Sequence, residues 1–472
     1  MFPITISLDD TSGKPLYLQL YEVIAEAIAT GSLKNGEKLP SKRNLCELLN
    51  VSHSTVESAY EMLKAEGYIE AAPKSGYYVA ELTLRSEEGA KPPASEPETK
   101  TPDRSTAAND LFPIGAVATE QFPYSSWAKL YKEVIYQSRE LLEKGDPQGE
   151  YALRKELERY LSEYRGVRAQ PEQIVIGAGF EYLMERLLIV LADLDSERRP
   201  IALEDPGYPA IRRVAESLRL PIIPIPVDRS GMRVQELSKH DPGIVFVTPS
   251  HQFPTGSTLP LSRRTALLRW AAETGAYVIE DDYDSDFRYH IRPIRSMQGI
   301  DDASRVIYVG SFNRTIAPAI RVAYMILPKQ LLPIYMSRLS KQAVTVSRFE
   351  QMAIGRLMSS GIYVRHIRRS SNLYRKRGEM VKQTLLGAFP GSFVTGDGAG
   401  LHFILHLPDV SEDKLMQEAA RSGIILHPVN AYREHASGLS PELVIGFAGL
   451  DEEGCRRSVE QLSLLVSRAK GN

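Results

Sequence analysis

Cationic and hydroxyl side chains gather near the N-terminus in a pattern suited to contacting nucleic acid. Lys42 and Arg43 open one helical pattern, and Lys74 and Ser75 occupy the tip of a predicted hairpin. A further helical pattern opens with four polar residues: Ser52, His53, Ser54 and Thr55. Lysine and arginine bind phosphates, whereas short polar side chains at a helix start reach base edges in the major groove. These residues are therefore candidate DNA contacts, although Lys42 and Arg43 alone would also suit a solvated helix end.

A second group of residues follows the strand-like runs of the larger, C-terminal part. Asp281 ends the run AYVIED, Ser311 ends RVIYVGS, and Gly179 follows QIVIGA. Apolar runs of this kind suit strands buried on both faces, and they alternate with helical patterns, so a mainly parallel sheet is expected. In such sheets ligands bind beyond the carboxyl ends of the strands. The set predicts a ligand site, although each loop alone is compatible with ordinary turn chemistry.

Three helices and a hairpin are predicted to position the candidate DNA contacts. Residues 16–31 place apolar side chains on one helical face, and residues 39–50 and 51–67 predict two further helices. Ser41 and Ser52 are the predicted N-caps, because a serine oxygen accepts a hydrogen bond from the first helical turn. The segment YIEAAPKSGYYV predicts two short strands, which completes a winged helix-turn-helix. The predicted inward faces of the second and third helices are Leu45, Leu48 and Leu49, and Val56, Ala59, Tyr60 and Leu63.

A polar segment divides the chain. Residues 83–110 contain four prolines, no aromatic residue and many Ser, Thr and Glu, so they cannot bury enough apolar surface to offset the entropy of ordering. We predict a DNA-binding domain at 1–82, a flexible linker at 83–110 that spans roughly 30 Å, and a second domain at 111–472. Residues 1–82 carry seven Lys or Arg against eleven Asp or Glu, so a local cluster rather than overall charge would bind nucleic acid.

The composition excludes several classes of protein. The chain has 472 residues, of which 43% are hydrophobic and 25% charged, as is ordinary for a globular protein. Cys46 and Cys455 are too few for a disulfide framework and show no metal-ligand spacing, so no metal site is predicted. No apolar run approaches the roughly 20 residues of a membrane span, and the N-terminus lacks the layout of a signal peptide. A cytoplasmic protein without a membrane partner is expected.

The N-terminal part resembles the GntR-type winged-helix domains along its whole length. The segments LPSKR and VSHSTVESAYEMLKAEGY and the glycine-containing hairpin occur in the family's order. The resemblance implies binding to double-stranded DNA at promoter half-sites. His53 departs from the family, which usually has arginine there. A neutral histidine donates one hydrogen bond and lacks the bidentate fork and permanent charge of arginine, so operator affinity or sequence preference is expected to differ.

The larger part resembles the fold-type I aminotransferases that depend on pyridoxal phosphate. The match includes GDPQG, VIGAGFEYL, EDPGYP, VTPSHQFPTG, VIEDDYDSDFRY and SFNRTIAPAIR. The GntR-like N-terminal domain, called the head below, and this aminotransferase-like part occur together in one chain. In this combination the chain is similar to the MocR/GabR subfamily of transcription regulators. The resemblance implies these cofactor contacts: Asp281 with the pyridine nitrogen, Tyr283 with the phenolic oxygen, Tyr208 near the ring, Ser311 and Arg321 with the phosphate, and Ala178, Gly179 and Phe180 in the phosphate turn.

Four positions depart from the aminotransferase pattern. Arg314 stands where the family has its Schiff-base lysine, and a guanidinium offers no free amine for covalent attachment. Phe180 stands in place of a small hydroxyl residue of the phosphate turn, and Lys144 in place of the aromatic residue that reaches the partner subunit's phosphate. Val444 stands in place of the arginine that holds a substrate carboxylate. The four changes imply that amino-group transfer has been lost, so no catalytic residue is assigned.

The expected fold class is α/β, with an N-terminal winged helix-turn-helix and a C-terminal fold-type I domain built on a mainly parallel sheet. The resemblance implies a homodimeric DNA-binding transcription regulator. Arg314, Arg321 and Lys144, opposite Asp281, favour an anionic effector or pyridoxal phosphate held without a covalent bond. Two alternatives stay open: an α-amino-acid aminotransferase with an appended head, against which Arg314 speaks, and a dimerisation module that binds no ligand.

Overall fold

The computed structural model describes residues 8, 14–72, 75–80, 109–195, 197–289, 295–339, 345–435 and 440–471. The chain divides into two units, Met1–Asp103 and Arg104–Asn472. Most of the predicted linker, residues 83–108, lies outside the described ranges, as does Lys74. Within those ranges no helix is both long and apolar enough to cross a membrane.

The first unit contains three helices and one hairpin. Its elements are α1 (Leu16–Ala29), α2 (Lys42–Leu49), α3 (His53–Ala65), β1 (Ile69–Ala72) and β2 (Gly76–Val79). The two strands pair antiparallel, with Ile69 opposite Val79. Apolar side chains from every one of these elements form a single core, which includes Leu20, Ile24, Leu45, Val56, Tyr60, Leu63, Ile69 and Val79. The predicted winged helix-turn-helix is confirmed.

Local hydrogen bonds begin the two helices of the helix-turn-helix. The side chain of Ser41 accepts a hydrogen bond from the amide of Asn44, and that of Ser52 accepts one from the amide of Thr55. Both predicted N-caps are confirmed. Asn50 caps the C-terminal end of α2, and its φ of 52° lies in the left-handed region that asparagine tolerates better than most residues.

One predicted core residue of α2 is exposed. Leu45 is fully buried and Leu49 packs against the same core, but Leu48 is 64% exposed. Helix α2 has only eight residues, and two turns of helix present one narrow apolar stripe to their neighbours. The prediction for Leu48 was wrong, whereas the predicted inward face of α3 is confirmed: Val56, Ala59, Tyr60 and Leu63 are all buried.

The second unit alternates strands and helices through its first half and is mostly helical near its end. Its helices are α4 (Tyr124–Gln137), α5 (Tyr151–Arg165), α6 (Phe180–Leu194), α7 (Pro209–Ser217), α8 (Leu261–Thr274), α9 (Leu332–Leu339), α10 (Arg348–Ser359), α11 (Ile362–Ala388), α12 (Glu412–Arg421) and α13 (Glu452–Lys470). Its strands are β3 (Asn109–Asp110), β4 (Ile174–Gly177), β5 (Ile201–Asp205), β6 (Ile222–Asp228), β7 (Gly231–Met232), β8 (Ile244–Val247), β9 (Tyr277–Asp281), β10 (Val306–Ser311), β11 (Ala323–Ile326), β12 (Phe393–Thr395), β13 (His402–His406), β14 (Ile424–Ile425) and β15 (Glu442–Gly446).

A large sheet carries the candidate site. Its strand order is β4-β11-β10-β9-β8-β5-β6-β7. The run from β6 through β5, β8 and β9 to β10 is parallel, whereas β11 is antiparallel to both of its neighbours and β7 is antiparallel to β6. The predicted mainly parallel sheet is confirmed. Because β9 and β10 are adjacent and parallel, their last residues, Asp281 and Ser311, end at the same edge.

Residues that alternate along the strands pack against helices on opposite faces of the sheet. Phe246 and Ile279 belong to a core shared with α6 and α7, whereas their neighbours Val245 and Val278 belong to a core shared with α8. This period of two is expected of strands that are buried on both sides. A smaller sheet, ordered β12-β13-β15, packs with α11, α12 and α13 in a further core.

Candidate functional site

A cavity that opens to solvent lies beyond the carboxyl ends of β9 and β10. Its lining includes seven of the predicted cofactor contacts: Phe180, Tyr208, Asp281, Tyr283, Ser311, Arg314 and Arg321. Four other residues complete the lining: Glu181, Phe253, Gly310 and Asn313. Among the residues that the structure describes, no lysine lines this cavity. The fold therefore brings most of the predicted cofactor contacts together in one cavity. Its described lining residues include two guanidinium groups and no side-chain amine.

Asp281 forms a buried carboxyl group in the cavity wall, where it is 4% exposed. Burial raises its pKa well above the usual range, and the nearby charges of Asp282, Asp284 and Glu204 act in the same direction, while Arg314 opposes them. A further cationic partner beside this carboxyl would stabilise its charged form. A protonated ring nitrogen would be such a partner.

Arg314 lies in the turn after β10. Its guanidinium donates a hydrogen bond to the carbonyl oxygen of Ile114, in the segment that enters the second unit. The side chain is half-buried, and its positive charge opposes the rise in the pKa values of Asp281, Tyr208 and Tyr283. Arg314 thus supplies a fixed cation and a fork of donors to the cavity.

The phosphate turn predicted at the start of α6 holds Arg321 close to its backbone. A Cβ atom at Gly179 would lie 2.7 Å from Nη2 of Arg321, so a glycine is needed there for this approach. Gly179 has a φ of 95° and precedes the first helical residue, Phe180. Arg321 has a φ of 53°, an uncommon conformation that is often found at binding sites. Its Nη2 lies 3.2 Å from an oxygen of Glu181.

Aromatic rings form one side of the cavity. The ring of Tyr208 packs edge-on against Phe180 at 5.4 Å and against Phe253 at 5.6 Å. Phe180 also contacts Phe246 in the core and is only 8% exposed, so it offers apolar surface where a hydroxyl donor was expected. Burial raises the pKa of Tyr208 to about 12 and that of Tyr283 well above its usual value. Both phenols are therefore protonated at neutral pH.

A buried ion pair fixes the end of β9 beneath the cavity. Nε of Arg165 lies 2.6 Å from Oδ2 of Asp282, and both side chains are at most 2% exposed. The hydroxyl of Tyr308 donates to the same carboxylate. Burial alone opposes ionisation, but Arg165 and Tyr308 hold the pKa of Asp282 below its usual range. The pair orients the strand end that carries Asp281.

Four residues that the resemblance singled out in the larger domain do not line this cavity, namely Gly179, whose turn is described above, and Lys144, Val444 and Ala178. Lys144 is exposed in the segment before α5, so its contact with a partner subunit's phosphate stays a prediction. Val444 is buried in β15 against Ile404 and Val429. Ala178 packs against the main core instead of lining the cavity.

The sequence analysis did not assign a role to four lining residues, although all four lie in segments that it quoted. Glu181 belongs to VIGAGFEYL, Phe253 to VTPSHQFPTG and Asn313 to SFNRTIAPAIR, whereas Gly310 belongs to the strand-like run RVIYVGS. Oδ1 of Asn313 is buried without a hydrogen-bond partner among the described residues, which leaves an acceptor at the cavity wall. The contact of Glu181 with Arg321 carried no local signal, because the two residues are 140 positions apart.

The candidate DNA contacts of the first unit differ in the exposure of their side chains and in the ion pairs that they form. The Arg43 side chain is 86% exposed, with Nε 3.2 Å from Glu47, and that of His53 is 64% exposed. Lys42 is only 18% exposed, and its Nζ lies 2.8 Å from Glu57 on α3, a hydrogen bond that raises its pKa. A phosphate would have to displace Glu57 to reach Lys42, whereas Arg43 is accessible.

The hydroxyl residues of the first unit are partly engaged in local hydrogen bonds. Ser52 caps α3 and also lies 2.8 Å from the hydroxyls of Ser54 and Thr55. Ser75 lies 2.6 Å from the hydroxyl of Tyr78 at the hairpin. Ser54 is exposed and has no backbone role in the cap, so it is the hydroxyl best placed to reach a base.

Comparison with known protein families gives one match in the N-terminal part of the chain and another in the C-terminal part. Residues 16–79 match the family described as "Bacterial regulatory proteins, gntR family". Residues 113–462 match "Aminotransferase class I and II". A multiple substrate aminotransferase from Thermococcus profundus superposes with a TM-score of 0.68 at 24% identity, over 77% of this chain and 92% of that one. This last likeness concerns the fold alone.

Curated relatives match along nearly the whole chain. The uncharacterized HTH-type transcriptional regulator YdeL of Bacillus subtilis (strain 168) is 37% identical over 97% of this chain and 98% of its own length. The HTH-type pyridoxine biosynthesis transcriptional regulator PdxR of Corynebacterium glutamicum is 32% identical over 98% of both chains. The probable rhizopine catabolism regulatory protein MocR of Rhizobium meliloti is 31% identical over 96% of this chain and 94% of its own length. The chain therefore belongs to the MocR/GabR-type transcription regulators, in which a gntR-family DNA-binding head precedes an aminotransferase class I and II domain.

Proposed function

We propose that the aminotransferase-like domain of this transcription regulator binds a small anionic molecule without a covalent bond and has lost amino-group transfer. The observation that carries the proposal is the composition of the cavity, in which Arg314 and Arg321 are present and no described lysine is. A guanidinium fork matches carboxylate and phosphate oxygens.

Pyridoxal phosphate is one anion to which the fold and its enzyme relatives point. When bound in this family, the group supplies an electron sink for carbanion chemistry. The residues fit its non-covalent binding: Asp281 is a buried carboxyl in the cavity wall, Tyr283 is a phenol that can donate, and Ser311 and Arg321 suit a phosphate. They do not fit covalent attachment, because Arg314 has no free amine. Phe180 also offers no donor to the phosphate.

The apolar surface of α4 supports a homodimer. Tyr124, Ile135 and Tyr136 on this helix are 63%, 50% and 75% exposed, and Leu142, just after it, is 79% exposed. Large exposed apolar side chains that cluster in one segment are typical of interaction surfaces. We propose that a second copy of the chain covers this surface. Lys144 follows Leu142 by two residues, which places it beside the proposed interface.

Light scattering on the eluting protein tests the dimer. We expect about 105 kDa, twice the 52.7 kDa of one chain, for the unchanged protein. A combined Ile135→Glu and Tyr136→Glu variant should elute mostly as monomer, because two buried charges per subunit would lack partners. Leu464→Glu, at a residue that is 60% exposed on α13, is the control and should stay dimeric. A monomeric unchanged protein would contradict the proposal.

The head is proposed to contact DNA through Arg43, His53, Ser54 and Ser75, with Lys42 joining after it leaves Glu57. We also propose the boundaries 1–82, 83–110 and 111–472 for the head, linker and body. A homodimer would carry two heads on linkers of roughly 30 Å, so paired half-sites would be bound with high effective concentration. This avidity would offset the acidic balance of the head.

Thermal unfolding in the presence of candidate anions tests the proposed effector site. We expect at least one of pyridoxal phosphate, inorganic phosphate and a dicarboxylate to raise the Tm of the second domain by a few degrees, since binding at 100 times Kd stabilises by about 2.7 kcal/mol. Arg314→Ala should lose most of this shift because it removes one of the two cations. Arg456→Ala, an exposed arginine of α13, is the control. No shift for any anion would favour the pure dimerisation module.

A further inference from the structure

Three buried side chains that can bind metals meet behind the aromatic side of the cavity. His251 follows β8, Asp284 follows β9, and His402 is the first residue of β13. Each of them is 2% exposed. One nitrogen or oxygen atom from each lies within 4.8 Å of the corresponding atoms of the other two. Cavity residues separate the cluster from the ligand space: Phe253 packs on His402 at 5.4 Å, and Tyr283 reaches His251.

The hydrogen bonds of the two histidines leave one ring nitrogen of each with a free lone pair. Nδ1 of His251 lies 2.8 Å from Oδ2 of Asp284 and 3.2 Å from the hydroxyl of Tyr283. Nε2 of His251 is buried and has no partner among the described residues. Nε2 of His402 lies 3.1 Å from the carbonyl oxygen of Pro254, so it carries the ring proton and Nδ1 keeps its lone pair. An unpartnered buried nitrogen is costly unless something occupies the space beside it.

The backbone around the cluster brings the three side chains together before any metal arrives. Gly400 has a φ of 71°, and a Cβ atom on it would lie 2.2 Å from Cε1 of His251 and 2.3 Å from Oδ2 of Asp284. The Gly400 amide donates to the carbonyl oxygen of Phe287, and its carbonyl oxygen accepts from the hydroxyl of Tyr289. The glycine therefore allows the chain leading to His402 to lie against the other two ligands.

Two imidazoles and a carboxylate are a ligand set that suits Zn²⁺ and its first-row neighbours. Zinc–nitrogen bonds of about 2.0–2.1 Å in a tetrahedral site place ligand atoms about 3.3 Å apart. The present limit of 4.8 Å means that the most distant pair would close by roughly 1.5 Å at most to meet this value. Such a movement is within the reach of side-chain rotation about χ1 and χ2.

We propose that His251, Asp284 and His402 form a binding site for a divalent transition metal such as zinc, which neither the family relationship nor the anion-binding cavity accounts for. The three ligands come from the loops that follow two strands of the large sheet and from a strand of the small sheet. A bound ion would join these parts of the second unit. Tyr283, in contact with His251, and Phe253, packed on His402, line the cavity beside this site.

Metal analysis after dialysis tests the site. The full-length protein is stripped with a chelator, dialysed against micromolar Zn²⁺ and analysed for zinc. We expect about one Zn²⁺ per chain and a rise in Tm, and we expect His251→Gln and His402→Gln each to weaken binding at least tenfold. His240→Gln, at an exposed histidine outside the cluster, is the matched control and should bind like the unchanged protein.

Cobalt spectroscopy of the unchanged protein keeps the test independent of how the variants fold. Co²⁺ bound to two imidazoles and a carboxylate in a four-coordinate site gives strong visible absorption. We expect one equivalent of Zn²⁺ to displace the Co²⁺ and so to abolish this absorption. Absence of stoichiometric metal, or metal binding that survives both glutamine substitutions in folded variants, would overturn the proposal. Equal loss in His240→Gln would also do so, because it would place the metal elsewhere.

Discussion

Borohydride reduction of the protein mixed with pyridoxal phosphate will leave no stoichiometric covalent adduct, and the mixture will show no imine absorption band. The physical reason is the guanidinium of Arg314, which lines the cavity and offers no free amine. Among the described residues, no lysine lines the cavity, so no side-chain amine is in place to form the covalent bond. The effect is all or none, since attachment requires a nucleophilic nitrogen at the cofactor's aldehyde.

Arg314→Lys is the matched variant for this experiment, because it restores the amine and keeps the positive charge. We expect a reduced adduct that maps to position 314 in this variant alone. Phe180→Ser in the same background should increase its yield, since a hydroxyl would return a donor to the phosphate turn. A stoichiometric adduct on a single lysine of the unchanged protein would contradict the assignment and reopen the aminotransferase alternative.

Arg43→Ala will weaken binding to promoter DNA on the order of tenfold or more, whereas Arg314→Ala will leave it nearly unchanged. Arg43 is 86% exposed at the start of α2, where it can reach a phosphate, and a homodimer would lose one such contact in each head. The variant's DNA affinity should also depend less steeply on salt concentration, because each phosphate contact contributes about 0.9 to the slope of log K against log salt concentration. The expected loss is about two units of slope.

A gel-shift titration at several fixed salt concentrations measures both quantities, with DNA selected from random sequences by the unchanged protein. Arg456→Ala on α13 controls for the removal of an exposed arginine. Glu57→Gln provides a second comparison, because it releases Lys42 from its ion pair and should raise the affinity. Equal losses for Arg43→Ala and Arg314→Ala would count against the separation of roles between head and body.

The sequence was most informative where a few neighbouring residues decide the structure. Ser41 and Ser52 cap α2 and α3 as predicted, because a cap is a hydrogen bond spanning three residues. The strand that ends at Asp281 was predicted in the same way, since its run of apolar residues suits burial on both faces. Leu48 shows where such reasoning fails: a helical pattern gives spacing, but the width of the buried stripe depends on which elements pack against it.

The sequence also predicted most of the residues that line the cavity. That prediction came from the resemblance to a known family and not from the physical properties of the residues. Asp281 and Ser311 end adjacent parallel strands, so the sheet brings their side chains to one edge. The hydrogen bond from Arg314 to Ile114 and the pairing of Arg321 with Glu181 were not foreseen. Each joins segments well over a hundred residues apart, and nothing local in either segment indicates its partner.

By itself, the sequence determined the two-part organisation, the capped helices of the N-terminal domain and the presence of an arginine at position 314. These features depend on composition, on contacts within a helical turn or on the identity of one residue. Only the tertiary structure decided that Lys42 is held by Glu57 and that His251, Asp284 and His402 meet in one buried cluster. The spacing of those three residues matches no local metal motif, which is why no metal site was predicted. Their meeting depends on how the small sheet packs against the loops of the large one, and that arrangement is set by burial across the whole domain.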